Sequence, residues 1–190
     1  MPSATTVVPL PPVRPPIATG AGLTHRGRVR ERNEDAILTD PSGMLWAVAD
    51  GMGGHGHGDV AADIVIDCLE TIADDESPAE ALLSRLTEAN RLVRERAALS
   101  GAEGMGSTVV AVMVVRAMAW VAWVGDARAY LVRGGRLRLL TRDHTLVQAL
   151  VDKGELRPEE AERHPESHIV TRAVGGAPEI EIDLLTQPLL

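Results

Sequence analysis

Apolar positions mark out helices and strands before any motif is considered. Ala61, Ile64, Val65, Cys68, Leu69 and Ile72 recur at helical spacing, which predicts a helix over about 59–73. Ser77-Pro78-Ala79-Glu80 reads as a helix start: a capping serine, a proline in the first turn and a glutamate that completes a capping box. Leu82, Leu83, Leu86, Val93 and Ala97 carry one face of that second helix to about residue 99. The period then shortens. Thr108–Val115 and Met118–Val124 are β-rich runs separated only by Arg116-Ala117, and they predict a hairpin. Arg128–Arg133 and Arg136–Leu140 flank Gly134-Gly135, a loop suited to positive φ, and predict a second hairpin.

Shorter signals complete the picture. Met44–Ala49 is a compact apolar run that predicts a buried strand running into Asp50-Gly51, followed by a glycine-rich loop to Gly58. A short helix is expected over 145–153, and Pro158-Glu159-Glu160 opens a further helical turn. In 179–190, Ile180, Ile182 and Leu184 alternate with Glu181 and Asp183, which predicts a strand. Strands, paired helices and then antiparallel hairpins indicate an α+β class, not alternating βαβ units. Six of the twelve prolines fall in residues 1–16. That segment is expected to be a disordered or extended tail, with a proline-recognition ligand as the minor alternative. Order is expected from Ile17 onward.

Composition narrows the class. Of 190 residues, 45% are hydrophobic and 24% charged, as in a soluble globular protein. With no Phe and only Trp46, Trp120, Trp123 and Tyr130 as aromatics, the core must be aliphatic. The net charge of −8 argues against a nucleic-acid binder, which needs a basic surface. The longest apolar run, Val109–Val115, is too short for a bilayer span of about 20 residues. No secretory leader pattern is present, and the single Cys68 excludes an intrachain disulfide. A cytoplasmic, monomeric protein without membrane or nucleic-acid partners is the expectation. Cys68 lies on an apolar helix face and is expected to be packed, not reactive.

Candidate chemistry is concentrated in acidic residues. Asn33-Glu34-Asp35, Asp50-Gly51 and Gly125-Asp126 place carboxylates beside glycine or at strand ends. Such oxygen donors suit hard cations such as Mg²⁺ or Mn²⁺ once they are clustered. Arg30 lies four residues before Glu34, and guanidinium is a good phosphate partner. The alternation Arg26, Arg28, Arg30, Arg32 equally fits an exposed edge strand. His55 and His57 have neither a cysteine partner nor a helical His-x-x-x-His spacing, so direct ligation by either is not expected. His144 and His164 fit a hydrogen-bonded structural role as well as an acid–base one. Gly106-Ser107 lacks the second glycine of a nucleophile elbow, and Asp50-Gly51-Met52-Gly53-Gly54 lacks dinucleotide-fingerprint spacing.

In order, these segments resemble the metal-dependent protein phosphatases of type 2C in their short bacterial form. The matching stretches begin with Gly27-Arg28-Val29-Arg30-Glu31-Arg32-Asn33-Glu34-Asp35-Ala36 and Ala47-Val48-Ala49-Asp50-Gly51-Met52-Gly53-Gly54-His55. Gly104-Met105-Gly106-Ser107-Thr108 and Val124-Gly125-Asp126-Ala127-Arg128-Ala129-Tyr130 follow. The last are Leu140-Thr141-Arg142-Asp143-His144-Thr145 and His164-Pro165 through Thr171-Arg172-Ala173-Val174-Gly175. The resemblance spans residues 17–190. It implies a four-layer α-β-β-α sandwich of two antiparallel sheets flanked by helix pairs. It also implies hydrolysis of phosphoserine and phosphothreonine proteins at a two-ion Mn²⁺/Mg²⁺ centre with a third, weaker ion site. Metal-activated water would attack phosphorus in line. By position, Asp50 is implied to bridge both ions and is counted with Arg30 among the catalytic residues. The Gly51 carbonyl and Glu34, the latter directly or through water, are implied ligands of the second ion, and Asp35 a hydrogen-bond partner of metal-bound water. Asp126 is implied at the third site, and Arg30 is implied to hold the phosphate.

Two departures matter. Met52 stands where many eukaryotic members carry a histidine proposed as general acid. After Gly175 nothing matches the family's Asp-Gly-Leu-Thr-like and Gly-x-Asp-Asn-like motifs, whose aspartates complete the first ion's ligands. The domain is therefore expected to be C-terminally incomplete, and the chain weakly active or inactive as it stands. A catalytically silent module that binds a partner or phosphoprotein is the alternative. A hydrolase of small phosphate esters is a weaker third reading.

Overall fold

The structure, a computed structural model, describes residues 18–41, 43–53, 56–73 and 77–189. The expected tail over 1–16, Gly54 and His55 lie outside the described residues. Five strands form one antiparallel sheet: β1 (Asp35–Thr39), β2 (Leu45–Met52), β3 (Gly106–Val115), β4 (Met118–Val124) and β7 (Asp183–Pro188), paired in that order. The strands β5 (Tyr130–Arg133) and β6 (Arg136–Leu139) form a separate two-stranded antiparallel sheet. The class is α+β with antiparallel sheets, as expected. Among the described residues, the second sheet is this one hairpin.

Two helices, α1 (Gly58–Glu70) and α2 (Pro78–Ser100), cover one face of the large sheet. Period-2 alternation sorts the strand residues between two apolar clusters. Leu45, Ala47 and Ala49 of β2, with Val109, Ala111 and Met113 of β3, join Val65, Leu69, Leu82 and Leu86 of the helices. Val110, Val121 and Trp123 face the other way and pack with Ala127, Ala129 and Leu140 at the base of the small hairpin. Cys68 is buried in the first cluster, and burial pushes its thiol pKa up, which keeps it inert.

Several boundaries differ from the sequence expectation. The strand before the glycine-rich loop continues through Asp50-Gly51 to Met52, because Gly51 pairs with Ser107 and Met52 with Gly106. The first helix ends at Glu70, not at 73, with the Thr71 hydroxyl bonding back to Cys68 O at 2.7 Å. Ser77 stands at the N-cap of α2 but makes no side-chain cap bond; proline supplies the start. The C-terminal strand covers only 183–188, because pairing with β4 begins at Trp123–Asp183. Arg26–Arg32 is a loop, not an edge strand; the sheet edge is β1, which starts at Asp35.

The two hairpins turn in related ways. Gly134 (φ 56°) and Gly135 (φ 72°) take the left-handed conformations expected of a primed turn. Arg116 (φ 50°) and Ala117 (φ 62°) adopt the same region without glycine. The seven-pair β3–β4 ladder imposes that geometry against a local preference of about 1–2 kcal/mol per residue. The remaining helices are short: α3 (Leu146–Asp152), capped by the Thr145 hydroxyl accepting from Gln148 N, and α4 (Pro158–Ala161).

Candidate active site

The candidate residues converge because of sheet register. Asp35 of β1 lies directly opposite Asp50 of β2, and Asp50 lies opposite Thr108 of β3. Val109–Val124 is the first pair of the next ladder, which brings Gly125 beside Thr108. A Cβ on Gly125 would stand 2.5 Å from Thr108 Cβ. One row across four strand ends therefore carries Asp35, Asp50, Thr108 and, after Gly125, Asp126. Arg30 and Glu34 reach the same place from the loop before β1. Together they line a cleft of about 740 Å³ whose walls also include Met52, His25 and His168. All six residues nominated from sequence, Arg30, Glu34, Asp35, Asp50, Gly51 and Asp126, line this one cleft.

Its backbone is tightly built. Gly51 N donates to Glu34 O at 3.0 Å, fastening the loop to β2. A Cβ on Gly51 would lie 1.9 Å from Gly58 O, so only glycine lets the first turn of α1 approach β2 this closely. A Cβ on Gly58 would meet the Glu34 carboxyl carbon at 3.0 Å. The Ser107 hydroxyl lies 3.2 Å from Asp50 O and 2.8 Å from Thr108 O, and Ser107 is fully buried. It supports the row from within, in line with the absence of a nucleophile elbow. The turn holding Asp126 is fixed by His144: Gly125 N donates to His144 Nδ1 at 3.0 Å and His144 N donates to Gly125 O at 2.9 Å. The buried His144 stacks on Trp123, with Asp183 Oδ2 3.4 Å from Nε2. Its role is structural. His164 accepts from Glu166 N at 3.2 Å in a local turn and does not line the cleft.

Electrostatics give the cleft its character. The Asp50 carboxyl is held above the usual carboxylate range. The largest cause is desolvation at the cleft floor, followed by the charges of Asp35 and Asp126; Arg30 opposes them. The Asp50 residue as a whole is exposed, so solvent screening moderates the effect. Carboxylates directly opposite on neighbouring strands repel, as Asp35 and Asp50 do. Thr108 Oγ1 is buried beside them and has no hydrogen-bond partner among the described residues. Oxygen donors, mutual repulsion and an orphaned hydroxyl fit a hard divalent cation. Among the described residues, no three Asp, Glu, His or Cys side chains form a ready ligand group. Sequence reasoning missed His168 and the buried environment of Thr108. Both sat inside stretches that matched the family, but nothing in their local sequence set either apart as a cleft residue.

An antiparallel α+β frame that brings a carboxylate row and an arginine to one cleft defines a metal-dependent phosphatase domain of type 2C. The chain belongs to that family: the protein phosphatase 2C family model matches residues 21–173. The serine/threonine protein phosphatase PstP of Mycobacterium tuberculosis is 40% identical over 161 residues, covering 82% of this chain and 31% of that protein. This chain thus spans about a third of PstP. The serine/threonine phosphatase Stp of Listeria welshimeri is 36% identical over 176 residues, 87% of this chain and 70% of that protein. The crystal structure of the PstP catalytic domain in complex with two manganese ions superposes with a TM-score of 0.76 at 35% identity, covering 87% of this chain and 70% of that one. No helix among the described residues is long and apolar enough to cross a membrane.

Proposed function

We propose that this cleft serves a phosphoserine/phosphothreonine protein phosphatase reaction that depends on Mn²⁺ or Mg²⁺. The observation that carries the reading is the row Asp35–Asp50–Thr108–Gly125 with Asp126 after it and Arg30 in the same cleft. Asp50, Glu34, Asp35 and the Gly51 carbonyl are the groups that would hold two cations, and Asp126 a third. When bound, such cations make water acidic enough to ionise near neutral pH and offset charge on a phosphoryl group.

The chain's own groups do the rest. Arg30 binds two phosphoryl oxygens in a fork and orients the phosphorus toward the carboxylate row. Gly51 and Ser107 hold Asp50 in register. Met52, a thioether, brings no proton, so the departing seryl or threonyl oxygen is protonated by another group or by solvent.

Hydrolysis of a phosphothreonine peptide by the 190-residue chain, measured with and without Mn²⁺ and compared with Asp50→Ala, tests this reading. Turnover that needs Mn²⁺ and disappears in Asp50→Ala supports it; turnover indifferent to Asp50 sinks it. One observation favours a second reading, a module that binds phosphoprotein without hydrolysing it: the absence, among the described residues, of three converging ligand side chains. Phosphate-dependent peptide binding with no turnover would select that reading.

A further inference from the structure

The cleft is lined by more arginine than a single phosphate needs. Arg26, Arg28, Arg30 and Arg32 all sit on the loop before β1, and Arg26, Arg30 and Arg32 line the cleft together with Asp50. The loop is a built structure. Asn33 Nδ2 donates to Thr24 Oγ1 at 2.8 Å across its base, and Gly27 N donates to His25 Nδ1 at 3.0 Å. Arg26 Nη1 donates to the backbone oxygen of Arg30 at 3.2 Å, which ties the Arg26 guanidinium to the backbone of the same loop. Arg32 reaches across to the glycine-rich loop, its Nη1 3.2 Å from where a Cβ on Gly56 would stand. Glycine at 56 leaves the space that the guanidinium occupies.

None of these arginines has a carboxylate partner within ion-pair distance among the described residues. Elsewhere the protein pairs its arginines freely: Arg91 with Glu88 and Glu95, Arg128 with Asp143, Arg172 with Glu181 and Asp183. The molecule carries a net charge of −8, so this wall is positive against a negative background. Arg30 accounts for one anion, and Arg26 and Arg32 remain. Several guanidinium groups on one hydrogen-bonded loop, lining one cleft, fit anions arrayed along an extended peptide, one phosphate and then side-chain carboxylates.

We infer that the cleft selects phosphoserine or phosphothreonine segments with acidic residues immediately flanking the phosphorylated position, read by Arg26 and Arg32. This inference rests on the phosphate-binding reading of the cleft given above. It does not require turnover, because recognition is read as binding.

The test uses the full chain and four fluorescent peptides of one sequence frame: phosphorylated or not, with Asp/Glu or Ala/Ser flanks, followed by fluorescence anisotropy. Exposed arginine–carboxylate contacts contribute individually small effects, so the phosphorylated acidic peptide is expected to bind about three- to tenfold tighter than its neutral-flank counterpart. Arg32→Gln should reduce that ratio to below about twofold. Arg28→Gln, which changes a residue of the same loop outside the cleft lining, should leave the ratio in place. Equal binding of the two phosphorylated peptides overturns the inference. So does an Arg28→Gln effect as large as that of Arg32→Gln, or a single-stranded oligonucleotide that binds as tightly as the acidic phosphopeptide. If phosphorylation itself makes no difference, the underlying phosphate-binding reading fails instead.

Discussion

Replacing Gly51 with alanine probes the close approach on which the cleft depends. The added methyl would stand 1.9 Å from Gly58 O, 2.3 Å from Gly58 C and 2.6 Å from Glu34 O. All three are backbone atoms, so no side-chain rotation relieves the overlap. The first turn of α1 or the segment at Glu34 must move away from β2. Overpacking of rigid sites costs about 1–3 kcal/mol and sometimes more, and three contacts this short place Gly51→Ala near or above the upper end. At about 2–4 °C per kcal/mol for a chain of this size, the midpoint should fall by roughly 6–12 °C. Gly101→Ala separates crowding from lost flexibility. Gly101 ends α2 with φ 65° and has nothing within 4 Å of an added Cβ. Its left-handed conformation costs alanine about 1–2 kcal/mol, partly offset by a stiffer unfolded chain, so a drop of roughly 2–4 °C is expected. Thermal unfolding followed by circular dichroism measures both. If Gly51→Ala melts no lower than Gly101→Ala, the close-packing account of the cleft is wrong.

Other expectations follow from the same contacts. Asp50 has a raised folded-state pKa, so the unfolded chain releases that proton more readily. Above the ordinary carboxylate value of 3.8, ionisation of Asp50 therefore costs stability. Asp50→Asn should raise the metal-free midpoint at pH 7 by an amount equivalent to less than about 1 kcal/mol after solvent screening, and the gain should fade as pH drops through that value. Mn²⁺ should raise the melting temperature of the parent chain but not of Asp50→Asn; an equal rise in both would remove Asp50 from the cation site. Asn90 is buried on α2, accepts from Gly175 N at 2.7 Å and donates to Ala177 O at 3.0 Å, pinning the segment after Val174. Asn90→Ala should cost about 1–3 kcal/mol in urea unfolding. His144→Leu leaves Gly125 N without its acceptor and should cost a similar 1–3 kcal/mol or so, while His144→Asn, with an oxygen near the Nδ1 position, should recover at least half in the same measurement.

Much of this protein was legible in the residues alone wherever the deciding forces are local. The apolar stripe of α1, the proline start of α2, the diglycine turn and the two hairpins depend on neighbours within a few positions. Their boundaries came within a few residues of the structure. The carboxylates and Arg30 were legible as motifs, because short glycine-flanked acidic stretches are distinctive in order. What local forces do not determine, only long-range pairing decided. The Arg26–Arg32 alternation suits a strand, but among the described residues no strand pairs with it, so it is a loop that lines the cleft. Arg116-Ala117 turns left-handed because the ladder on either side demands it. Asp35, Asp50 and Thr108 meet because β1, β2 and β3 pair in one register, and a slip of one residue would turn that row to the opposite face. His144 supports Asp126 from 18 positions away, through a contact that no spacing rule encodes. The sequence alone thus determined which candidate groups the chain carries. The tertiary structure decided which of those groups share a cleft, because burial and strand register act between segments that are remote along the chain.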